Sequence, residues 1–276
     1  MNLNPMFIIA KKEIMDNIRN KWIIILSVIF FLLTLVVSYF GSLYSEGWQD
    51  LGITISGMMN LVQFLVPIIA LILGYAAIIG EIERGSMSAL LSQPTSRLEI
   101  VLGKFIGLGS IISITIIMGF GIAGIIIALN VANTNFLDYL IFIASTILLG
   151  LVFLCLAIFF STLFNKRSTA MGGAILLWFL FNMILPIIFT GLLAMSVGLQ
   201  GLIEGTIPEW YHYLTLINPL SIYGNLNSIA LNLSFGGQAN FTYPSIFSGG
   251  LMAGLLLLWI VIFLLLSIWR FNKKDI

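Results

Sequence analysis

The chain has 276 residues, of which 60% are hydrophobic and only 8% charged, against roughly a quarter charged in an ordinary soluble domain. Mean hydropathy is +1.11, and 12 Lys and Arg against 11 Asp and Glu leave a formal charge of +1. A soluble fold would have too few polar groups to cover its surface. That excludes a cytosolic enzyme, a secreted domain and a disordered chain. Net charge points to no class of partner, and no nucleic acid is expected.

Residues 5–20 read as an amphipathic cytoplasmic helix. Asn4-Pro5 supplies a cap residue followed by proline at the first helical position. Phe7, Ile14, Ile18 and Trp22 recur at helical spacing, while Lys11, Lys12, Glu13, Asp16 and Arg19 take other faces. Such a helix lies on the lipid interface, held by its cations and Trp22; a lever touching a cytoplasmic partner is a second role compatible with the first. The first long apolar run starts only at Trp22 and reaches Phe40, without an A-x-A-like cleavage site. It reads as a retained anchor rather than a signal peptide.

Charge-free stretches long enough to cross ~30 Å of hydrocarbon follow at about 60–80, 105–129, 139–164, 169–195 and 246–269. With 22–40 they make six expected spans. The runs are continuous rather than alternating, which requires helices and not a barrel. The expected fold is an all-α integral membrane protein with six transmembrane helices and one transmembrane domain over 1–276.

The cations sort by connection. Lys11, Lys12, Arg19 and Lys21 precede the first span, and Arg84, Arg97 and Lys104 lie between the second and third. Lys166 and Arg167 separate the fourth and fifth, and Arg270, Lys273 and Lys274 follow the sixth. The connections 41–59, 130–138 and 196–245 hold no Lys or Arg but carry Glu46, Asp50, Asp138, Glu204 and Glu209. The positive-inside rule then expects both termini in the cytoplasm of a cell-membrane protein.

The cytoplasmic loop 81–104 carries the densest local signals. Glu81 and Glu83 flank the exit of the second span, and Gly85 tolerates the positive φ of a turn. Met87, Leu90 and Leu91 put apolar groups on one face of a short helix, which Pro94 ends. Ser96 and Glu99 form an S-x-x-E capping box, so the third helix starts near Ser96. A short helix with an apolar stripe suits a groove in a partner; a solvated loop whose charges only fix topology is the alternative.

The outer segment 196–245 contains Pro208, Trp210, Pro219, Gly236 and Gly237 and is too broken for two more crossings. Short interfacial or re-entrant helices fit it. Its only histidine, His212, sits beside Trp210, Tyr211 and Tyr213. An interfacial aromatic belt accounts for it better than a copper or zinc ligand. Asn232 and Asn240 match glycosylation sequons, a frequent chance match.

Catalytic patterns are missing. There is no H-E-x-x-H, no G-x-x-x-x-G-K-[ST] loop, and no charge at mid-span that would mark an ion pathway. Cys155, the lone cysteine, reads as a small buried hydrophobe. Gly119, Gly121 and Gly124 spell G-x-G-x-x-G inside the third span, with no strand before them, so close helix packing explains them. Gly103/Gly107 and Gly250/Gly254 are similar pairs serving packing or dimerisation. Gln63 and Asn182 are expected to bond between helices, and Pro67 and Pro186 to kink theirs.

Three stretches together resemble a known family: AKKEIMDNIRNKW at 10–22, GEIERGSMSALLSQPTSRLEIVLGKF at 80–105, and INPL at 217–220. They are similar to ABC-2 type transporter permeases, the membrane subunits of ABC exporters, over nearly the whole chain. The likeness is strongest to the NosY-like branch, named for the permease of a transporter that helps mature a copper centre. Nothing in this chain offers a copper-binding cluster, so the branch carries over and the copper does not. The resemblance implies a permease that dimerises, or pairs with a second permease, and docks ATP-binding subunits, with ATP and Mg in those subunits and no cofactor or metal here. It also leaves room for a periplasmic or extracellular accessory protein. The ATPase-coupling positions it implies are Lys11, Glu13, Arg19, Glu81, Glu83, Arg84, Gly85, Leu90, Leu91, Pro94 and Arg97. Asn218 and Pro219 match the family's outer-segment motif. A self-sufficient carrier or channel is the competing reading, and a membrane enzyme a third.

Overall fold

The computed structural model describes residues 5–18, 25, 28–33, 36, 51–130, 136–203, 206–231 and 243–275, and every regular element among them is helical. Among the described residues, five helical stretches are long and apolar enough to cross a membrane: Ile55–Glu83, Arg97–Ile122, Leu137–Leu163, Arg167–Gly198 and Gly249–Asn272. They correspond to the second to sixth expected spans. The expected first span falls largely outside the described residues, as do Arg19 and Lys21. Within it, 28–33 is helical, and Phe30 is buried edge-on against Phe120, 5.6 Å between centroids.

Helix α1 spans Pro5–Ile18, with Pro5 at its first position as expected. Helix α2 spans Leu51–Gly74, so it starts well before the expected entry at 60. Gly52, Thr54, Ser56 and Gly57 dilute the apolar pattern there, and the residues assigned to a connection are helix. The chain then breaks and restarts as α3, Ile79–Glu83. A helix restart leaves backbone N–H groups without partners. Here the Ser161 hydroxyl oxygen accepts both, from Ile78 N–H at 2.9 Å and Ile79 N–H at 3.0 Å.

Helix α4 spans Ser86–Leu91, and α5 runs from Arg97 to Asn130. The capping box forms as read: the Glu99 carboxylate accepts Ser96 N–H at 2.7 Å, and Ser96 Oγ accepts Glu99 N–H at 3.2 Å. Helix α6, Phe136–Leu163, is the central element. Residues 152–158 are buried on every side, the mark of a helix surrounded by others, and Cys155 sits among them. Helices α2 and α5 pack against it.

The fifth crossing is composite. Helix α7, Arg167–Phe179, passes through a π turn, Leu180–Ile184, into α8, Leu185–Ile203. Pro186 cannot donate to the carbonyl of Asn182, and a π turn is a usual way to absorb that defect. The expected interhelical amide is present. With its amide oriented donor to acceptor, Asn182 donates to the Gln63 carbonyl at 3.2 Å and accepts from Trp178 Nε1 at 3.1 Å. Helicity breaks at Gly198, whose φ of 71° and ψ of 174° suit glycine alone.

Two short helices follow. Helix α9 is Glu209–Thr215 and α10 is Pro219–Ala230. The last, α11, is Gly249–Asn272, capped by Ser248, whose hydroxyl accepts Leu251 N–H. Helix α10 wedges against α6 and α11 and buries Leu220, Ile222, Tyr223, Leu226 and Asn227.

Candidate functional site

One end of the bundle collects charged groups from separate elements. Helix α1 lies along the start of α5 because two glycines leave no side chain between them. A Cβ on Gly103 would stand 2.8 Å from the Met6 carbonyl oxygen, and one on Gly107 2.8 Å from that of Ala10 and 2.6 Å from Glu13 Cβ. This pair serves packing within the chain. The buried face of α1 centres on Ile9 and Ala10, whereas Phe7 and Ile18 of the expected stripe are exposed. Lys11 is exposed as well.

Between the two glycines, Lys104 points into the junction of three elements. Its ammonium donates to Glu13 at 2.6 Å and pairs with Glu81 at 2.9 Å. Lys12 stands 3.6 Å from the same Glu81 oxygen. The Lys104 side chain is 2% exposed and each carboxylate 13%. By its place in the sequence alone, Lys104 is one of the cations that set topology. Its place eight residues along an apolar helix was the available signal, since a lysine there must find partners or neutralise.

The coupling segment folds around this junction. Gly85 adopts φ 72° at the turn between α3 and α4. Arg84 is exposed and its Nε donates to the Gly80 carbonyl at 2.9 Å. Glu83 accepts the Arg167 N–H at 2.7 Å, capping α7, whose own preceding residue Lys166 supplies no side-chain cap. Met87 is fully buried, and Leu90 and Leu91 are half-buried against the core. The apolar stripe of α4 is thus covered wholly at Met87 and in part at Leu90 and Leu91. A groove of about 520 Å³ remains between α1 and α4, lined by Ile8, Lys12, Glu81, Leu90 and the exposed Pro94 among others.

Arg97 is turned inward. Its guanidinium donates to the Phe271 carbonyl and, at 2.8 Å, to that of Lys274, and lies 5.3 Å from the Phe271 ring centroid. Lys274 in turn donates to the carbonyls of Thr162, at 3.0 Å, and Phe164. The end of α11 is therefore clamped to the start of α5 and the end of α6. Burial pushes the Lys274 ammonium below its ordinary pKa, and nearby Arg270 adds to that.

Away from that junction, between the spans, Asn218 caps α10. Its side-chain oxygen accepts Leu220 N–H at 3.0 Å, and its nitrogen donates to the Phe181 carbonyl in the π turn at 2.8 Å. Pro219 takes the first helical position and is buried. Two further polar links were not foreseen. Ser145 donates to Asn227 at 3.0 Å, and Thr146 and Tyr223 share a hydrogen bond at 3.1 Å. Ser145 lies nine residues from the start of α6, about 14 Å along its axis, so α10 reaches deep between the spans. The four-residue spacing of Tyr223 and Asn227, which puts both on one face of α10, is the legible hint. His212 is buried against Tyr243 and Phe247, with centroids 5.7 and 6.1 Å away. Burial lowers its pKa and the nearby Glu209 opposes that shift. Among the described residues, no three His, Cys, Asp or Glu gather as a metal site. The glycine-rich run behaves as packing: a Cβ at Gly124 would collide with the Tyr139 ring.

Among the described residues, a helical bundle of long apolar crossings with its ion pairs gathered at one end is the body of a polytopic membrane protein. Residues 7–276 match the family described as ABC-2 family transporter protein, and the chain belongs to that family. It is 37% identical over 231 residues to the probable ABC transporter permease protein NosY of Stutzerimonas stutzeri, covering 82% of each chain. It is 34% identical over 235 residues to the protein of the same name from Pseudomonas aeruginosa, covering 83% of each. The chain is accordingly the membrane subunit of an ABC transporter.

Proposed function

We propose that this chain is the permease of an exporter, seated in the cytoplasmic membrane with both termini inside the cell and paired with a second permease chain. Separate ATP-binding subunits, carrying ATP and Mg, dock on α1 and the 81–104 segment. Their closure draws the cytoplasmic helices together and moves the spans between access states, which requires contacts that differ in energy between those states. The observation that supports this most directly is the ion-paired junction of Glu13, Glu81 and Lys104. It ties the N-terminal helix to the loop after the second span at the end that carries the cations. The cargo is unidentified, since lipid, peptide, antibiotic and sulfur-containing species all suit an apolar interface between two such chains. The test is co-expression and co-purification of the chain with candidate ABC-type ATP-binding subunits. Glu81→Gln and Arg84→Ala should lower transport-coupled ATP hydrolysis. Failure to associate, or flux in liposomes without ATP, would favour a self-sufficient carrier.

A further inference from the structure

We infer that Lys104 is a positioning residue that locks α1, the α3 exit of the second span and α5 into one rigid lever, through which the ATP-binding subunit acts. Its ammonium bridges carboxylates on two other elements, Glu13 on α1 and Glu81 on α3, at 2.6 and 2.9 Å. A lysine side chain 2% exposed has exchanged its hydration for those two partners, and withdrawing either carboxylate leaves part of the buried ammonium's donor capacity unmet, which is unfavourable. Neither partner can move away alone. The glycines on each side remove the other route to slack, because the Met6 and Ala10 carbonyls already sit where side chains at Gly103 and Gly107 would be. The α1 helix is thus pinned to α5 by backbone contact and to α3 by charge. Half-buried Leu90 and buried Met87 seat α4 on the same body. A push on α1 or α4 therefore reaches the third span without being absorbed at a joint.

This rests on the proposed docking of an ATP-binding subunit, and the experiment separates the two. Spin labels are placed at Asp16→Cys on α1 and Ser88→Cys on α4, both exposed, in a Cys155→Ser background. The full chain is measured alone and in complex with its ATP-binding subunit. The distance should be narrow and should not change between ATP-bound and ADP-bound complexes. In K104M it should broaden, and the complex should lose about three- to tenfold in kcat for ATP hydrolysis, with KM for ATP unchanged. K104R should restore both. The triple variant K104M/E13Q/E81Q guards against simple misfolding, because a neutralised triad no longer buries a lone charge. It should regain thermal stability but not the narrow distance. A wild-type distance that shifts with ATP would overturn the lever, as would K104M or the triple variant retaining wild-type distance and kcat. If the wild-type chain binds no ATP-binding subunit, the proposed function falls, and the label distances in the chain alone still decide whether Lys104 locks the joint.

Discussion

Ser161 shows how much one hydroxyl can carry in an apolar interior. It sits on α6 and accepts two N–H groups at the restart of the second span. Ser161→Ala would orphan both, at about 1–3 kcal/mol for each buried group left unsatisfied. The thermal midpoint of the detergent-solubilised protein should fall; an unchanged midpoint would mean that the N–H groups find other partners. His212 makes a pH prediction. Its native pKa lies below the ordinary 6.5 because burial disfavours the charged form. The folded state therefore binds fewer protons than the unfolded state, and the stability from neutral His212 is complete above pH ~6.5. It declines as pH drops toward the lowered native value. Thermal midpoints taken between pH 5 and 8 should show that decline, and His212→Phe should flatten it.

At the scale of elements, the seam between α1 and α5 is set by absent side chains rather than by attractive ones. Apolar burial gives little drive where lipid is as apolar as the neighbouring helix, so close approach and dispersion decide which helices pair. Gly107→Val should force α1 off α5, since even a single Cβ meets backbone at 2.8 Å. Overpacking of that kind costs about 1–3 kcal/mol. Limited proteolysis should then release α1 far faster than in the wild type, whereas Gly250→Val, where nothing lies within 4 Å of the added Cβ, should leave the rate unchanged. The two glycine pairs look alike in the sequence, and only the fold separates them. The start of α2 and the break before α3 were also illegible. A Gly- and Thr-diluted helix start mimics a loop, and the partner for the break comes from a residue more than eighty positions away.

For the whole molecule, the described cations meet at one end: Lys104 with Glu13 and Glu81, Arg167 beside Glu83, and Arg97 and Lys274 at the close of α11. Acidic Asp138 and Glu209 start the helices α6 and α9 away from it. If that end faces the cytoplasm, Asp138→Cys in a Cys155→Ser background should react with a membrane-impermeant thiol reagent on intact cells. Lys273→Cys should react only after permeabilisation. The opposite pattern would invert the proposed topology.

The sequence by itself determined the helical class, the approximate place of the second to sixth spans, the capping box at Ser96 and the family, because hydrocarbon thickness and local capping act on contiguous residues. It also pointed to Glu13 and Glu81. Only the tertiary structure decided that Lys104 joins them, that Arg97 faces the chain's own end, that Met87 is internal, and that Asn218 ties a deep helix to a π turn. Each of those depends on partners far apart in the chain, and a buried charge or an unpaired carbonyl is matched by whatever group the packing brings within about 3 Å, which no local pattern encodes.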